Sequence, residues 1–400
     1  MHCHRGAYTE QASSLLMVAG EASGDTHGAM LMQELRERYP HLQSYGLGGT
    51  HMRAAGVETL FDIGTLNIVG ALEACTKIPQ GLRMARRLLK EALRRNTRVA
   101  VLIDAPGFNL PFARQLKKAG LRVVYYVSPQ IWAWRRGRVK KIARRVDNML
   151  TLFPFEVPLY TAAGVDTEYV GHPLVDRLQS LPSVEQATQI LGLEADRPTV
   201  ALLPGSRGQE IRRLLSPMLD ALVSIKQRLP LVQGVLPLAP TVSEQDVRRI
   251  VERYSMPVTV VHEQSIEALR AAQFALVASG TATLEAGLIG TPMAVMYKVH
   301  FTTAWLARLL IRVPYIGLVN IVADKQIVPE FLQHQVQPHT IAMLALRYLE
   351  HPEEARHVKR ELARLHDILG PGGSARRAAA RVGHVLSLEG TSPPTSVTES

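Results

Sequence analysis

Cysteine is nearly missing. The 400 residues hold two, Cys3 and Cys75, too few for a disulfide framework, so a reducing compartment is expected. Long apolar runs are missing too: none reaches the ~18 residues of a membrane span. Residues 1–14 are polar, without the apolar stretch of a secretory signal, and are expected to be a flexible terminus. His2-Cys3-His4 has metal-binding residue types, but a terminal tripeptide frays, so no metal is expected there. Acidic residues are in deficit, 35 against 46 Lys and Arg, for a net charge of +11. An acidic partner is therefore expected. Asp-x-Asp, the usual metal clamp of one large class of sugar transferases, does not occur.

The hydrophobic content of 46% fits a globular chain with ample core, and the length suggests two or three domains at ~150 residues each. The positive charge is clustered. Arg83, Arg86, Arg87, Lys90, Arg94, Arg95 and Arg98 form one run with one acid, Glu91. Arg135, Arg136, Arg138, Lys140, Lys141, Arg144 and Arg145 form another with none. Together they hold fourteen of the 46 basic residues. Leu82, Ala85, Leu89 and Leu93 fall at helical spacing, predicting the apolar face opposite the first run. Trp132 and Trp134 precede the second. Aromatics beside arginines suit stacked bases or a bilayer interface, but the reading preferred for these two is a partly buried corner.

Short apolar stretches alternate with helical ones. Strands are predicted at 15–19, 99–103, 123–127, 148–152 and 168–170. A second set falls at 200–203, 232–236, 258–261, 274–278 and 293–296. This alternation predicts a doubly wound parallel sheet in each half. Expected divisions are a first Rossmann-like domain over 15–173, a second over 174–350, helices over 351–388 returning to the first domain of their own or a partner chain, and a disordered tail over 389–400.

Four strand ends carry the chemistry. Val200–Leu203 runs into Pro204-Gly205-Ser206-Arg207, a Gly-containing turn before a helix. Ser206 is the expected cap, the free amides beyond it suit a phosphate, and Arg207 can grip a diphosphate with its forked guanidinium. Phe274–Ala278 runs into Ser279-Gly280-Thr281-Ala282-Thr283, where amides and hydroxyls can surround a diphosphate. Glu285 follows, placed for two ribose hydroxyls; a helix-dipole partner is the plain alternative. Leu15–Ala19 runs into Gly20-Glu21-Ala22-Ser23-Gly24-Asp25, and Val99–Ile103 into Asp104-Ala105-Pro106-Gly107-Phe108-Asn109. An Asp at the carboxyl end of a parallel strand points into the ligand crevice of such a sheet; a turn residue is the plain alternative. Gly46-Leu47-Gly48-Gly49 reads as a further turn. His300–Arg312 reads as an interfacial helix or a core helix with a basic back.

Two parallel-sheet domains with phosphate loops in the second describe the GT-B arrangement, two Rossmann-like domains facing across a cleft with helices at the C-terminus. The four strand-end motifs, with Tyr126-Val127-Ser128-Pro129-Gln130-Ile131-Trp132-Ala133-Trp134, resemble lipid-A-disaccharide synthases from about Leu15 to Leu332. The resemblance implies a metal-independent, cofactor-free, inverting glycosyltransferase. It would join UDP-2,3-diacylglucosamine to 2,3-diacylglucosamine 1-phosphate (lipid X), giving the β-1,6-linked disaccharide phosphate and UDP. It implies Asp104 as general base, Arg207 on the diphosphate, Ser279, Gly280, Thr281, Ala282 and Thr283 as nucleotide loop, and Glu285 on ribose. Gly20, Glu21, Ser23, Gly24 and Asn320 would line the acceptor or sugar. It further implies work at an anionic membrane face, on the cytoplasmic side of a bacterial inner membrane, as a monomer or homodimer without nucleic acid. Two departures stand out: Gly107 replaces a second Asp of some members, and Val319-Asn320 replaces Pro-Asn. Rival readings are a UDP-N-acetylglucosamine epimerase on the same fold, the lipid-linked transferase of peptidoglycan synthesis, and a nucleic-acid-binding protein.

Overall fold

The computed structural model describes residues 14–66, 71–134, 136–299 and 314–390. The segment 300–312, read as an interfacial or a core helix, most of the tail and residues 1–13 lie outside them. The chain divides into two compact units, Met1–Pro173 with Gly373–Ser400, and Leu174–Gly372.

The first unit is built on seven parallel strands: β1 (Ser14–Ala19), β2 (Gln43–Gly48), β3 (Glu58–Asp62), β4 (Val99–Ile103), β5 (Arg122–Tyr126), β6 (Asn148–Thr151) and β7 (Asp166–Tyr169). Their order is β3-β2-β1-β4-β5-β6-β7. Leu15 to Ala19 and Val99 to Ile103 are wholly buried, as strands covered on both faces must be. The core joins Leu16, Val18, Tyr45, Leu102 and Tyr125 to Met84, Leu88 and Ala92 of the helix Ala71–Arg94. That helix buries Met84, Ala85, Leu88 and Ala92, while Leu82 and Leu93 are exposed. Of the four residues predicted for its apolar face, Ala85 is buried and Leu89 half-buried. The stripe that meets the sheet is rotated from the predicted one.

The second unit holds six parallel strands: β8 (Thr199–Leu203), β9 (Gln233–Leu238), β10 (Val258–His262), β11 (Phe274–Ala278), β12 (Met293–Tyr297) and β13 (Glu330–Leu332). Their order is β10-β9-β8-β11-β12-β13. Two parallel-sheet α/β domains with a helical C-terminus are thus the architecture.

The C-terminal helices divide between the units. Pro352–Leu369 buries Val358, Leu362, Leu365 and Leu369 and packs on the second unit's helices Thr281–Ile289 and Leu318–Ala323. This corrects the expectation that it returns to the first domain. Gly287 makes the contact possible, because a Cβ there would lie 2.8 Å from Leu365. Only Ser374–Gly390 packs on the first unit, against the helix Ala22–Arg38 and β4. Arg377 Nε donates to the Val170 carbonyl at 2.9 Å, and Arg381 pairs with Asp166.

Candidate active site

In each sheet the strand order reverses once, between β1 and β4 and between β8 and β11. Parallel sheets bind ligands outside the carboxyl ends of the strands at such a point. All four chemistry-bearing turns of the sequence begin there.

In the first unit Ala19 is level with Ile103, so Gly20 and Asp104 leave the sheet side by side. A Cβ on Gly20 would sit 2.5 Å from the Ala105 Cβ, so only glycine allows the two turns this proximity. Glu21 precedes the helix Ala22–Arg38 as its N-cap position without a side-chain cap bond. Gly24 is buried in that helix, 3.4 Å from the Ile103 carbonyl by its virtual Cβ. The Ser23 hydroxyl and the Ala105 amide both donate to the Asp104 carboxylate. Burial, reinforced by the negative charge of Glu21, nevertheless pushes that carboxyl up to about 6. Desolvation thus outweighs the two hydrogen bonds. A carboxylate poised there can take up a proton near neutral pH.

Asp104 and Ala105 are both left-handed, with φ of 50° and 42°. Each such non-glycine residue costs on the order of 1–3 kcal/mol and clusters at functional sites. The backbone is held there from inside. Asn109, wholly buried, donates through Nδ2 to the carbonyls of Ile103 at 3.0 Å and Asp104 at 2.8 Å, and the Tyr125 hydroxyl donates to the Asp104 carbonyl at 2.6 Å.

Asp25 has a different task. Its buried carboxylate accepts from the amides of Gly49 at 2.6 Å, His51 at 3.0 Å and Met52 at 3.1 Å. It caps the helix Thr50–Ala54, not its own.

In the second unit the turn after β8 departs from expectation. The N-cap of the helix Gly208–Arg228 is Arg207, not Ser206. The Glu210 carboxylate accepts from the amides of Ser206 at 3.1 Å and Arg207 at 3.3 Å. Of the amides beyond Ser206 expected for a phosphate, that of Arg207 is therefore taken by an acid three residues on, as in a capping box. The Arg207 side chain remains 81% exposed, 3.6 Å from Glu210.

The turn after β11 is the better anion site. Among the described residues no side chain caps the helix Thr281–Ile289, whose positive end faces outward with Gly280, Thr281 and Ala282. Ser279 donates to the Ile316 carbonyl at 2.7 Å and Thr283 to the Gly280 carbonyl at 2.8 Å. Those hydroxyls shape the loop, and Thr281 is the exposed one. Glu285 is buried, accepts from the Ser265 hydroxyl at 3.3 Å and lies 3.6 Å from Arg177. Burial raises its pKa, and Arg177 and Ser265 oppose the rise. Arg177 and Ser265 went unnoticed in the sequence because neither sits in a motif.

Asn320 is not placed to meet a sugar. It is wholly buried. Its Nδ2 donates to the Val328 carbonyl and to Glu330 Oε1, both at 2.8 Å. Its Oδ1 accepts from the amides of Ile327 at 2.8 Å and Val328 at 3.1 Å. Two donors and two acceptor positions are all that an amide has.

Trp132 is an interior residue. It is 7% exposed and donates through Nε1 to buried Glu156 at 2.9 Å. Its ring meets Phe155 edge-on at 5.2 Å. Among the described residues no group of three or more His, Cys, Asp or Glu is arranged to hold a metal.

The same two-sheet arrangement recurs in solved structures. UDP-GlcNAc 2-epimerase from Neisseria meningitidis, bound to UDP-GlcNAc, superposes with a TM-score of 0.63 at 11% identity, covering 94% of this chain and 100% of that one. A glycosyltransferase from Rickettsia africae superposes with a TM-score of 0.58 at 8% identity, covering 96% and 100%. At such identities the likeness concerns the fold. Sequence relatives are more specific. Lipid-A-disaccharide synthase of Myxococcus xanthus is 43% identical over 93% of this chain and 97% of its own length. That of Alcanivorax borkumensis is 39% identical over 94% and 98%. The profile of the lipid-A-disaccharide synthetase family matches residues 15–380. With all four strand-end turns inside the matched span, the chain belongs to the lipid-A-disaccharide synthetase family.

Proposed function

We propose that the chain joins UDP-2,3-diacylglucosamine to 2,3-diacylglucosamine 1-phosphate with inversion, and that Asp104 is the general base. As a member of its family it is a glycosyltransferase of lipid A biosynthesis, with sugar-nucleotide and lipid substrates. The observation that carries the reading of Asp104 is its half-buried carboxyl, held on a left-handed backbone at the switch point of the first sheet. As the acceptor's primary hydroxyl attacks the anomeric carbon, its proton passes to Asp104. The bond to the diphosphate breaks, and UDP leaves with the electron pair. One base and one displacement give inversion. The uncapped helix start at Thr281 and the Arg207 guanidinium meet the charge that develops on UDP, and Glu285 accepts from the ribose.

UDP release measured with and without the acylated sugar phosphate tests this. Release that depends on the acceptor and yields a disaccharide is expected. Acceptor-free turnover of a UDP-sugar to its epimer would establish the epimerase reading instead.

An anionic membrane surface fits the same substrates. No helix among the described residues is long and apolar enough to cross a membrane. The helix Ala71–Arg94 exposes Leu82 and Leu93 among Arg83, Arg86, Arg87, Lys90 and Arg94, an apolar-and-basic face suited to anionic headgroups on the cytoplasmic side of the inner membrane. Sedimentation with vesicles containing phosphatidylglycerol, lost as salt rises, is expected. Equal binding to purely zwitterionic vesicles would overturn the electrostatic part.

A further inference from the structure

The end of β4 poses a problem that two buried side chains solve. The Asp104 amide still makes the last rung of the sheet, donating to the Tyr126 carbonyl at 3.0 Å. Its carbonyl leaves the ladder, because the left-handed turn at Asp104 and Ala105 swings it toward the interior. No strand donor exists there, and a buried carbonyl without a donor is unfavourable. Tyr125, wholly buried on β5, brings its hydroxyl to 2.6 Å, and Asn109, on the helix Pro106–Lys118, brings Nδ2 to 2.8 Å. The same Nδ2 meets the carbonyls of Ile103 at 3.0 Å and Val18 at 3.4 Å. Asn109 leaves its own Oδ1 buried without a partner. Its amide is thus turned for its donors at the cost of its acceptor, which packing alone does not require.

We propose that Tyr125 and Asn109 are positioning residues for Asp104: by anchoring its carbonyl they fix the left-handed turn, and with it the direction of the carboxylate. The proposal rests on the reading of Asp104 as the base. Without the two donors the carbonyl would turn out to water, the backbone would relax toward an extended conformation, and the carboxylate would swing away from Ser23 and Ala105. The ionisable groups facing the carboxyl are Glu21 from the turn after β1 and Tyr125 from β5. Tyr125 stays protonated, because burial raises its pKa well above the ordinary value.

The test compares Tyr125→Phe, Asn109→Leu and Asp104→Asn, in the purified full chain with both acylated substrates. Tyr125→Phe removes one oxygen and keeps the ring, so folding should survive, and calorimetric UDP binding checks this. Turnover should fall by about tenfold or more, within the range that a well-placed base supplies. KM for the UDP-sugar should hold. The acid limb of the kcat profile should move to lower pH as the loosened carboxylate gains water. Asn109→Leu should act in the same direction. In the residual turnover of Asp104→Asn, adding Tyr125→Phe should change nothing further, since its effect runs through Asp104. Near wild-type turnover with an unmoved acid limb in both Tyr125→Phe and Asn109→Leu, beside a crippled Asp104→Asn, would overturn the positioning role alone. So would a loss with the limb unmoved that repeats in the Asp104→Asn background, because that is a loss of folded enzyme. Wild-type turnover in Asp104→Asn would remove the base itself, and the proposal with it.

Discussion

The Ser23 hydroxyl donates to the Asp104 carboxylate across the switch point of the first sheet, while the charge of Glu21 works against that carboxylate's ionisation. The carboxyl rises from an ordinary 3.8 to about 6, so the fold favours its protonated form. Below pH 4 the group is protonated whether the chain is folded or not and contributes nothing to the pH dependence. Above pH 6 it is charged in both states, and the folded state bears the burial. Asp104→Asn should therefore melt with wild type near pH 4 and above it at pH 8. A two-unit shift corresponds to a gap on the order of 2–3 kcal/mol. Thermal melts of the two proteins across pH 4–8 check this, and a constant gap would remove the linkage.

Asn320 yields a prediction of the opposite kind. Asn320→Ala leaves the Ile327 and Val328 amides and the Val328 carbonyl without their partner. Each buried unpaired group costs roughly 1–3 kcal/mol, so a marked drop in melting temperature is expected. Substrate KM values in the folded fraction should hold, because no part of the side chain is free for a sugar. A raised acceptor KM with unchanged stability would restore the substrate role.

The contrast shows what the sequence displays. Strands β1, β4, β8 and β11 read plainly, because a strand buried on both faces is an unbroken apolar run. The turns after them read plainly because glycine and small polar residues stand out. β2 did not: Gly46 and Gly48 disguise it as a turn. Yet Gly46 is there because a Cβ would lie 1.9 Å from the Met17 carbonyl of the neighbouring strand. β3 and β13 are half-buried edge strands of five and three residues, with little apolar pattern to find. Partners distant in sequence stayed hidden for the same reason. Nothing local distinguishes Arg177 beside Glu285, or says that Asp25 would cap a helix 25 residues on.

Arg177 should tune the nucleotide site through Glu285. On the proposed reading Glu285 accepts from both ribose hydroxyls best when ionised; burial raises its pKa and the guanidinium 3.6 Å away opposes the rise. Removing that cation raises the pKa further, so more of Glu285 is protonated at any given pH. Arg177→Ala should weaken UDP binding more at pH 6 than at pH 8. Arg207→Ala should weaken it at both, by roughly 1.5–3 kcal/mol for a lost charge-assisted hydrogen bond. Calorimetry at the two pH values separates them. A pH-independent loss in Arg177→Ala would mean that it touches the nucleotide directly.

Glu156 gives the last prediction. It is 1% exposed. One oxygen accepts the Trp132 indole N–H at 2.9 Å and the other the Phe153 amide at 3.3 Å, with Ser128 and Leu152 also donating. Burial still outweighs these bonds and pushes the carboxyl from 4.5 up to about 7. Wild-type stability should therefore be greatest below pH 4.5 as far as this group is concerned, and fall as pH rises through 7. Glu156→Gln has no charge to bury, so its stability relative to wild type should climb between pH 5 and pH 8 and then level. Asp104 titrates in both proteins and cancels in the difference. Glu156→Leu is the harsher change, leaving the indole N–H and the Phe153 amide unpaired at roughly 1–3 kcal/mol each. It should melt well below wild type at every pH, with the Trp132 emission shifted as the ring loses its anchor. Parallel melting curves for wild type and Glu156→Gln from pH 5 to pH 8 would show that this carboxyl is charged in the folded chain as it is in the unfolded one, and that burial does not raise its pKa.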